Sequence, residues 1–387
     1  MTCFPFLFSK TSSSSRQNPD NDEDISGIHN VRIYSYRELR NATDNFSPAN
    51  KIGEGGFGPV YKGQLKDGKL AAIKVLSAES KQGVKEFLTE INVISEIEHE
   101  NLVKLYGCCV EKDNRILVYN YLENNSLAQT LLGGSHNSIH FDWRARCKIC
   151  VGVARGLAFL HEEVRPLIVH RDIKASNILL DKDLTPKISD FGLAKLIPAN
   201  VTHVSTRVAG TLGYLAPEYA IGGRLTRKAD IYSFGVLLVE IVSGRCNTNS
   251  RLPSNEQFIL ERAWALYEQN ELVGLVDTSL NWEFYAEQAC KFLKIGLLCT
   301  QESPKHRPSM SSVVKMLTGE MKVDDSRMTK PALISDFMDL KVRKKQESII
   351  DLKTTSTYNT SSASDHQDTT IASAATTTFT TQFDHSM

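Results

Sequence analysis

No stretch of the 387-residue sequence is apolar for long enough to cross a bilayer. The apolar start, Cys3 to Phe8 in "MTCFPFLFSK", is far too short. It lacks a basic leader and a small-residue cleavage site, so no secretory signal is expected. Residue 2 is Thr, which excludes N-myristoylation. Neither charge is in excess: Lys+Arg 45 balances Asp+Glu 45, which removes the global electrostatic argument for a nucleic-acid partner. There are 8 Cys, yet no second C-x-x-C and no nearby His accompany Cys147 and Cys150 of "CKIC". Helix packing and reduced thiols in a cytosolic setting are therefore expected rather than a metal or disulfide framework. No internal repeat is apparent. With a composition this ordinary, function has to sit in local sites.

What is present divides the chain. Residues 9–30, rich in Ser, Asn and Asp, read as disordered. "YSYRELRNATDNF" (34–46) reads as a short helix. "VYKGQLKDGKLAAIKVL" holds two extended runs around Asp67-Gly68, a hairpin signal. "KQGVKEFLTEINVISEI" spaces Val84, Phe87, Leu88, Ile91 and Ile94 along one helical face. "RILVYNYL" (115–122) is a further strand, and helices then dominate at 142–161, 227–243, 257–269, 284–300 and 309–317. The expected fold class is α+β: a small β-rich lobe followed by a larger helical one. "LISDFMDLKVRKKQ" (333–346) reads as a helix against the helical lobe. From Thr354 the chain reads as a disordered tail with many phosphorylatable hydroxyls.

The oddest stretch is "IVHRDIKASNILL" (168–180). Its apolar ends, Ile168-Val169 and Ile178-Leu179-Leu180, read as two short buried strands. Between them stand His170, Arg171, Asp172, Lys174 and Asn177, which cost kilocalories each unless partners satisfy them. Further on, "SDFG" adds Asp190. Carboxylate and amide oxygens of this kind suit Mg2+, which prefers a few protein oxygens plus phosphate oxygens. A second carboxylate can take a proton from an attacking hydroxyl.

Upstream, "GEGGFG" puts glycines at 53, 55, 56 and 58, where backbone amides can approach phosphates. A strand and hairpin follow instead of a helix, which excludes a Rossmann turn. No Gly-Lys-Ser/Thr ends the stretch, which excludes a Walker loop. Lys74 closes "AAIK" among apolar neighbours and calls for anions, with Glu90 and Glu86 as candidate helix partners; taken alone it reads more readily as a surface lysine on an edge strand. Phosphate-cradling glycines, a lysine, metal ligands and a base are the parts of a phosphoryl-transfer site.

In chain order the sequence carries "GEGGFGPV", "AAIK", a helix Glu, "HRDIKASN", "DFG", "APE", "DIYSFG" and "HRP", from about Phe46 to Leu317. This set resembles the protein kinases. The resemblance implies a bilobal kinase domain over 50–320, with an N-lobe at about 50–121 and a C-lobe at about 122–320. Segment 1–30 and a short helix within 31–49 would precede it, and a largely disordered extension, 321–387, would follow. By the same resemblance, Asp172 is the catalytic base and Lys174 contacts the γ-phosphate. Asn177 and Asp190 hold Mg2+, with Mn2+ as a substitute. Lys74 holds the α/β-phosphates of ATP and pairs with Glu90, which fits better than Glu86. Gly53, Glu54, Gly55, Gly56, Phe57 and Gly58 cover the phosphates. Ile52, Val60, Ala72 and Leu179 sandwich adenine. Tyr119 is the gatekeeper, and Asn120, Tyr121 and Leu122 form the hinge, with Asn at 120 where close relatives often have Glu. Asp230 and a Glu218–Arg307 pair are structural. Lys174 and Thr211 point to Ser/Thr substrates.

"YSYRELRNATDNFSPANKIGEGGFGPVYKG" and "VSTRVAGTLGYLAPEYA" resemble plant receptor-like kinases, relatives of the Pelle and interleukin-1-receptor-associated kinases. With no ectodomain or span, the chain is similar to the receptor-like cytoplasmic kinases, the cold-responsive type among them. Protein substrates and an upstream receptor kinase or co-receptor are the implied partners. Arg171 beside the base implies activation by phosphate in the 190–218 loop, with Thr202, Ser205 and Thr206 as candidates and Lys195 and Arg207 completing a basic pocket. Thr211 is a fourth hydroxyl there, suited to substrate positioning. Cys3 in its aromatic run stands between an S-acylated anchor on the cytoplasmic face of the plasma membrane and an unanchored terminus of a cytoplasmic protein. The competing functional reading is a pseudokinase scaffold, which commonly lacks the Lys, the base or the metal Asp.

Overall fold

The computed structural model describes residues 31–55, 58–76, 81–133, 139–198, 200–249 and 257–332. The expectations for Cys3, Gly56, Phe57, the helix at 333–346 and the Ser/Thr-rich tail fall outside the described residues.

Helix α1 (Tyr36–Ala42) comes first, then strands β1 (Lys51–Gly55), β2 (Gly58–Gln64) and β3 (Leu70–Leu76). Helix α2 (Lys81–Ile94) and strands β4 (Leu105–Glu111) and β5 (Asn114–Asn120) complete this lobe. The strands form one antiparallel sheet of order β1-β2-β3-β5-β4. The Asp67-Gly68 turn joins β2 to β3, with Gly68 at φ 82° and the Lys69 N–H donating to Asp67 Oδ1 at 3.2 Å. The two-residue pleat then decides what the cleft sees. Ala71 and Ile73 enter a packed layer with Leu39, Ile116 and Val118. Ala72 and Lys74, one residue out of step, face the other side. The β3–β5 register sets Ala72 opposite Tyr119 and Lys74 opposite Leu117.

The outer layer is closed by residues that precede the sheet. Ile33 bridges to Cys108 in parallel, which extends the sheet past β4. Only glycine fits at 107, because a Cβ there would stand 2.1 Å from the Arg32 carbonyl oxygen. Ser35 caps α1: its Oγ accepts from Glu38 N–H at 3.2 Å, and Glu38 Oε2 accepts from Ser35 N–H at 3.1 Å. The helix read through Phe46 stops at Ala42. Asp44, Asn45 and Phe46 take φ of 52°, 60° and 52°, a left-handed run that no α-helix continues. The Thr43 hydroxyl fixes it, donating to Leu39 O at 2.8 Å and accepting from Phe46 N–H at 3.0 Å. In return the Phe46 ring packs on Tyr36 and Tyr61.

The second lobe begins with α3 (Leu127–Thr130) and α4 (Trp143–Ala158). Short strands follow: β6 (Leu167–Val169), β7 (Ile178–Leu180), β8 (Pro186–Ile188), β9 (Lys195–Ile197) and β10 (Val204–Ser205). Then come α5 (Pro217–Gly222), β11 (Arg224–Leu225), α6 (Arg227–Ser243), α7 (Ile259–Glu268), α8 (Ala286–Cys299) and α9 (Met310–Thr318). Helix α6 is buried from Ala229 to Ser243, as expected of a helix that is apolar nearly all round. The apolar ends of the 168–180 stretch are β6 and β7, as their hydrophobicity predicts. Pairing of β6 with β9 and of β7 with β8 holds the polar loop between them. Cys150 lies in the core of α4, and Cys147 is half-buried beside it. Among the described residues no helix is long and apolar enough to cross a membrane.

Candidate active site

The polar loop is satisfied from α6. The Asp230 carboxylate accepts from His170 N–H at 2.7 Å, from Arg171 N–H at 2.8 Å and faces His161 Nε2 at 2.9 Å. Burial opposes its charge, but the His161 hydrogen bond and the surrounding positive groups win and hold the carboxyl below its ordinary range. This anchor explains how Arg171 stays at φ 73°, a conformation costing about 1–3 kcal/mol in a non-glycine residue. Asp190 shares the same region at φ 68°. Asp tolerates it better than most residues.

The charged side chains of the site form two clusters. In the first, Lys74 Nζ donates to Glu90 Oε2 at 3.1 Å and to Asp190 Oδ1 at 2.8 Å. Burial alone would neutralise the amine, but the Asp190 and Glu90 charges outweigh it and raise its pKa. Asp190, likewise buried, is held low by Lys74. Of the two helix candidates, Glu90 meets Lys74. Glu86 accepts from Gln82 Nε2 at 2.7 Å and lies against Gly192. Phe191 is turned inward, its N–H toward Glu90 Oε1 at 3.4 Å and its ring against His170.

In the second cluster, Asp172 Oδ1 accepts from the Thr211 hydroxyl at 2.6 Å. Its Oδ2 takes Asn177 Nδ2 at 3.0 Å and Lys174 Nζ at 3.0 Å, and Lys174 Nζ also donates to Thr211 Oγ1 at 2.8 Å. The Asn177 amide nitrogen is thus spent on Asp172, so its side-chain oxygen is left to face elsewhere. The Asn177 carbonyl accepts from Ser189 N–H and Oγ at 2.9 and 3.0 Å, which ties it to the residue before Asp190. An amide oxygen and a carboxylate brought together this way suit a hard divalent cation that completes its shell from phosphate.

The residues expected to enclose adenine come from both lobes. Ile52 is on β1, Val60 on β2, Ala72 on β3 and Leu179 on β7. Tyr119 is buried on β5, its hydroxyl without a hydrogen-bond partner among the described residues. Burial first, and then the Glu90 charge beside it, push that phenol well above its ordinary range. Asn120 uses its side chain on the backbone: Oδ1 accepts from Lys104 N–H at 2.8 Å, and its own N–H donates to Lys104 O at 3.0 Å. A Glu oxygen could accept the same bond, so the Asn at 120 keeps this link to Lys104. The glycines of the first turn differ among themselves. Gly53 and Gly55 have open space where a Cβ would stand, room for an approaching phosphate, whereas at Gly58 (φ 122°) a Cβ would sit 2.0 Å from the Val75 oxygen.

The loop from 190 to 218 shows a different economy. Arg171 donates to Tyr219 Oη at 3.0 and 2.5 Å, to Leu193 O at 2.9 Å and to Arg207 O at 2.7 Å. All are neutral acceptors. Lys195 is lowered by burial and then by the Arg171 and Lys85 charges, so three cations share this corner. Lys85, on α2, was not expected, and Arg207 takes part through its carbonyl. Thr202 and Ser205 are exposed on the same loop, and Thr206 is half-buried. Sequence reading also missed the support beneath Thr211. Ser233 Oγ donates to Tyr214 O at 2.7 Å, Tyr214 Oη donates to Glu240 Oε2 at 2.7 Å, and Asn247 N–H donates to Glu240 Oε1 at 2.7 Å. The one available signal was a glutamate inside the apolar run "FGVLLVEIV". At the loop's end Glu218 meets Arg307 in a two-pronged pair at 2.7 and 2.9 Å.

A family model for the protein kinase domain matches residues 46–317. Cold-responsive protein kinase 1 of Arabidopsis thaliana is 74% identical over 330 residues, 85% of each chain. Two probable leucine-rich repeat receptor-like serine/threonine-protein kinases of the same plant are 55% identical over 81% of this chain and 50% identical over 90% of it. This chain covers only 31% and 33% of those longer proteins.

Proposed function

The chain belongs to the protein kinase family and is a serine/threonine kinase, and from that premise we propose how its residues divide the work. Asp172 orients the incoming Ser or Thr hydroxyl and takes its proton as that oxygen bonds to the γ-phosphorus and the bond to ADP breaks. Lys174 follows the charge on the transferred group. Thr211, hydrogen-bonded to both, keeps base and lysine in register and is a positioning residue. Lys74 holds the α/β-phosphates of ATP, and Glu90 sets its direction. Ile52, Val60, Ala72 and Leu179 enclose the base, Tyr119 closes the back wall, and Asn120 to Leu122 form the hinge edge. Mg2+ held by the Asn177 side-chain oxygen and Asp190 would supply charge neutralisation on the phosphates, and Mn2+ suits the same donors.

The observation that carries this reading is Lys74 Nζ within 3.1 Å of Glu90 and 2.8 Å of Asp190. A silent scaffold has no need of that arrangement beside an intact Asp172, so the scaffold reading is not favoured. The test is incorporation of labelled phosphate by wild type and by Asp172→Asn and Lys74→Glu forms. We expect a loss of about a hundredfold or more in each variant. Equal incorporation would overturn the assignment.

The setting of the reaction is also a proposal. Identity to Cold-responsive protein kinase 1 and to receptor-like kinases supports signalling downstream of a plant receptor kinase or co-receptor, with protein substrates. S-acylation of Cys3 would place the enzyme on the cytoplasmic face of the plasma membrane, and cytoplasm is the alternative. One acyl chain binds only marginally, so the aromatics at 4, 6 and 8 would have to add to it. Equal membrane fractions for wild type and Cys3→Ser would remove the anchor.

A further inference from the structure

Beyond α9 the chain turns back over the helical lobe. Met321 N–H donates to Lys315 O at 2.9 Å, and Asp325 pairs with Lys294 at 2.6 Å. Three contacts then fasten the strap to the core. Thr329 Oγ1 donates to Gln301 Oε1 at 3.0 Å, Pro331 bridges antiparallel to Gln301, and the Ala332 carbonyl accepts from Tyr232 Oη at 2.6 Å. Gln301, Tyr232, Pro331 and Ala332 are buried, yet Thr329 and its neighbours Arg327 and Lys330 are exposed.

The two core residues that receive the strap also hold Arg307. The Gln301 carbonyl accepts from Arg307 Nε at 2.8 Å, and the Arg307 guanidinium lies 5.1 Å over the Tyr232 ring. Arg307 in turn grips Glu218 at the end of the loop that presents Thr211 to Asp172. Docking of the strap therefore bears on the far anchor of the activation loop.

We propose that Thr329 is a phosphorylation site, modified in trans by a second copy of this kinase, and that its phosphate releases the strap and slackens the Glu218–Arg307 anchor. The proposal rests on the reading of the cleft as an active site. In the step, Thr329 Oγ bonds to the γ-phosphorus of ATP, the bond to ADP breaks, and the hydroxyl proton passes to Asp172 of the second copy. The product has no hydroxyl donor for Gln301. It brings nearly two negative charges and three bulky oxygens to a contact only 3.0 Å long. Turning the Gln301 amide would offer one neutral donor, too little for a dianion leaving water. Arg327 and Lys330 hold the phosphate better once the strap has left the core. The strap is thus the two-state element through which one surface hydroxyl reaches the loop.

The test uses the full chain. Wild-type kinase and ATP are incubated with an Asp172→Asn copy, and the phosphates on that copy are mapped by mass spectrometry. Phosphate on Thr329 supports the site. Transfer to an exogenous peptide and to other hydroxyls with none on Thr329 overturns it, whereas no transfer to anything condemns the active-site reading instead. Thr329→Glu should lower kcat/KM for the peptide by about fivefold, the low end of typical coupling between sites, leave the KM for ATP unchanged, and speed amide exchange at 329–332. Thr329→Ser, which keeps the donor, should match wild type. Wild-type peptide kinetics and exchange in Thr329→Glu would overturn the coupling.

Discussion

Lys74 and Arg171 are both buried cations of the cleft region, and they are neutralised in opposite ways. Lys74 lies between two carboxylates, which raise its pKa against burial. Among the described residues the Arg171 guanidinium finds a phenol and two carbonyls, with Lys195 and Lys85 crowding it further. Dipoles satisfy its hydrogen-bond donors, but they leave its charge uncompensated. The Lys74 site is complete as it stands. We propose that the Arg171 corner is completed by a phosphate on the 190–218 loop, with Thr202, Ser205 and Thr206 as its candidate carriers.

Breaking the complete site should have the largest effect. Lys74→Met leaves Glu90 and Asp190 buried without their cation. It should cost about 3 kcal/mol of stability, read by thermal or denaturant unfolding, together with about a hundredfold or more in turnover. A variant as stable and active as wild type would show that the two carboxylates do not depend on Lys74.

The second effect is smaller and conditional. Arg171→Gln keeps two donors for the carbonyls but removes the charge. It should bring the phosphorylated enzyme down to the rate of the dephosphorylated one and leave the latter nearly unchanged. If the phosphorylated variant still exceeds the dephosphorylated one by the wild-type ratio, the anion is received elsewhere.

Glu240 sharpens the comparison by reversing the sign. It is a buried carboxyl faced by a phenol and an amide but by no cation among the described residues, and burial pushes it up to about 8. In the unfolded chain the same group titrates near 4.3. The folded state therefore holds a proton that the unfolded state has lost between those values. The stability gained from Glu240 is fully present below the lower pKa and declines as pH rises toward 8. The loss should be on the order of a few kcal/mol. Glu240→Gln should flatten the unfolding free energy against pH over that window, whereas Glu240→Ala should destabilise at every pH. An unchanged slope in Glu240→Gln would assign the pH dependence to another group.

These contrasts also show what sequence could and could not say. The helix stripe of α2 and the hairpin at Asp67-Gly68 are local, and local pattern found them. The polar residues between 170 and 177 announced a site because nothing local could satisfy them. Their partner, Asp230, stands 60 residues after His170 and only the fold brings it in. Spacing on α2 left Glu86 and Glu90 open, since residues four apart share a face, and the resemblance favoured Glu90. The geometry agrees: Glu90 meets Lys74, and Glu86 is taken up by Gln82. Lys85 was passed over because an exposed lysine on a helix carries no signal until the loop packs beside it. Helix α1 ran short because three successive left-handed residues, none of them glycine, end it. Tertiary contacts of Phe46 with Tyr36 and Tyr61 support that turn. The strap at 321–332 was grouped with a polar tail, although Pro331 and Ala332 are buried; two small residues give too little hydrophobic pattern to register.

The most direct test of the difference between the two cations is the initial rate on an exogenous peptide. It should be measured on purified kinase before and after phosphatase treatment, beside a form with Ala at 202, 205 and 206. With Lys74 already paired, ATP affinity should stay constant across the three samples. With Arg171 awaiting its anion, the dephosphorylated and Ala forms should be slower by about tenfold or more. Undiminished initial rates in both would contradict the account, because the loop would then be ordered without any phosphate for Arg171 to hold.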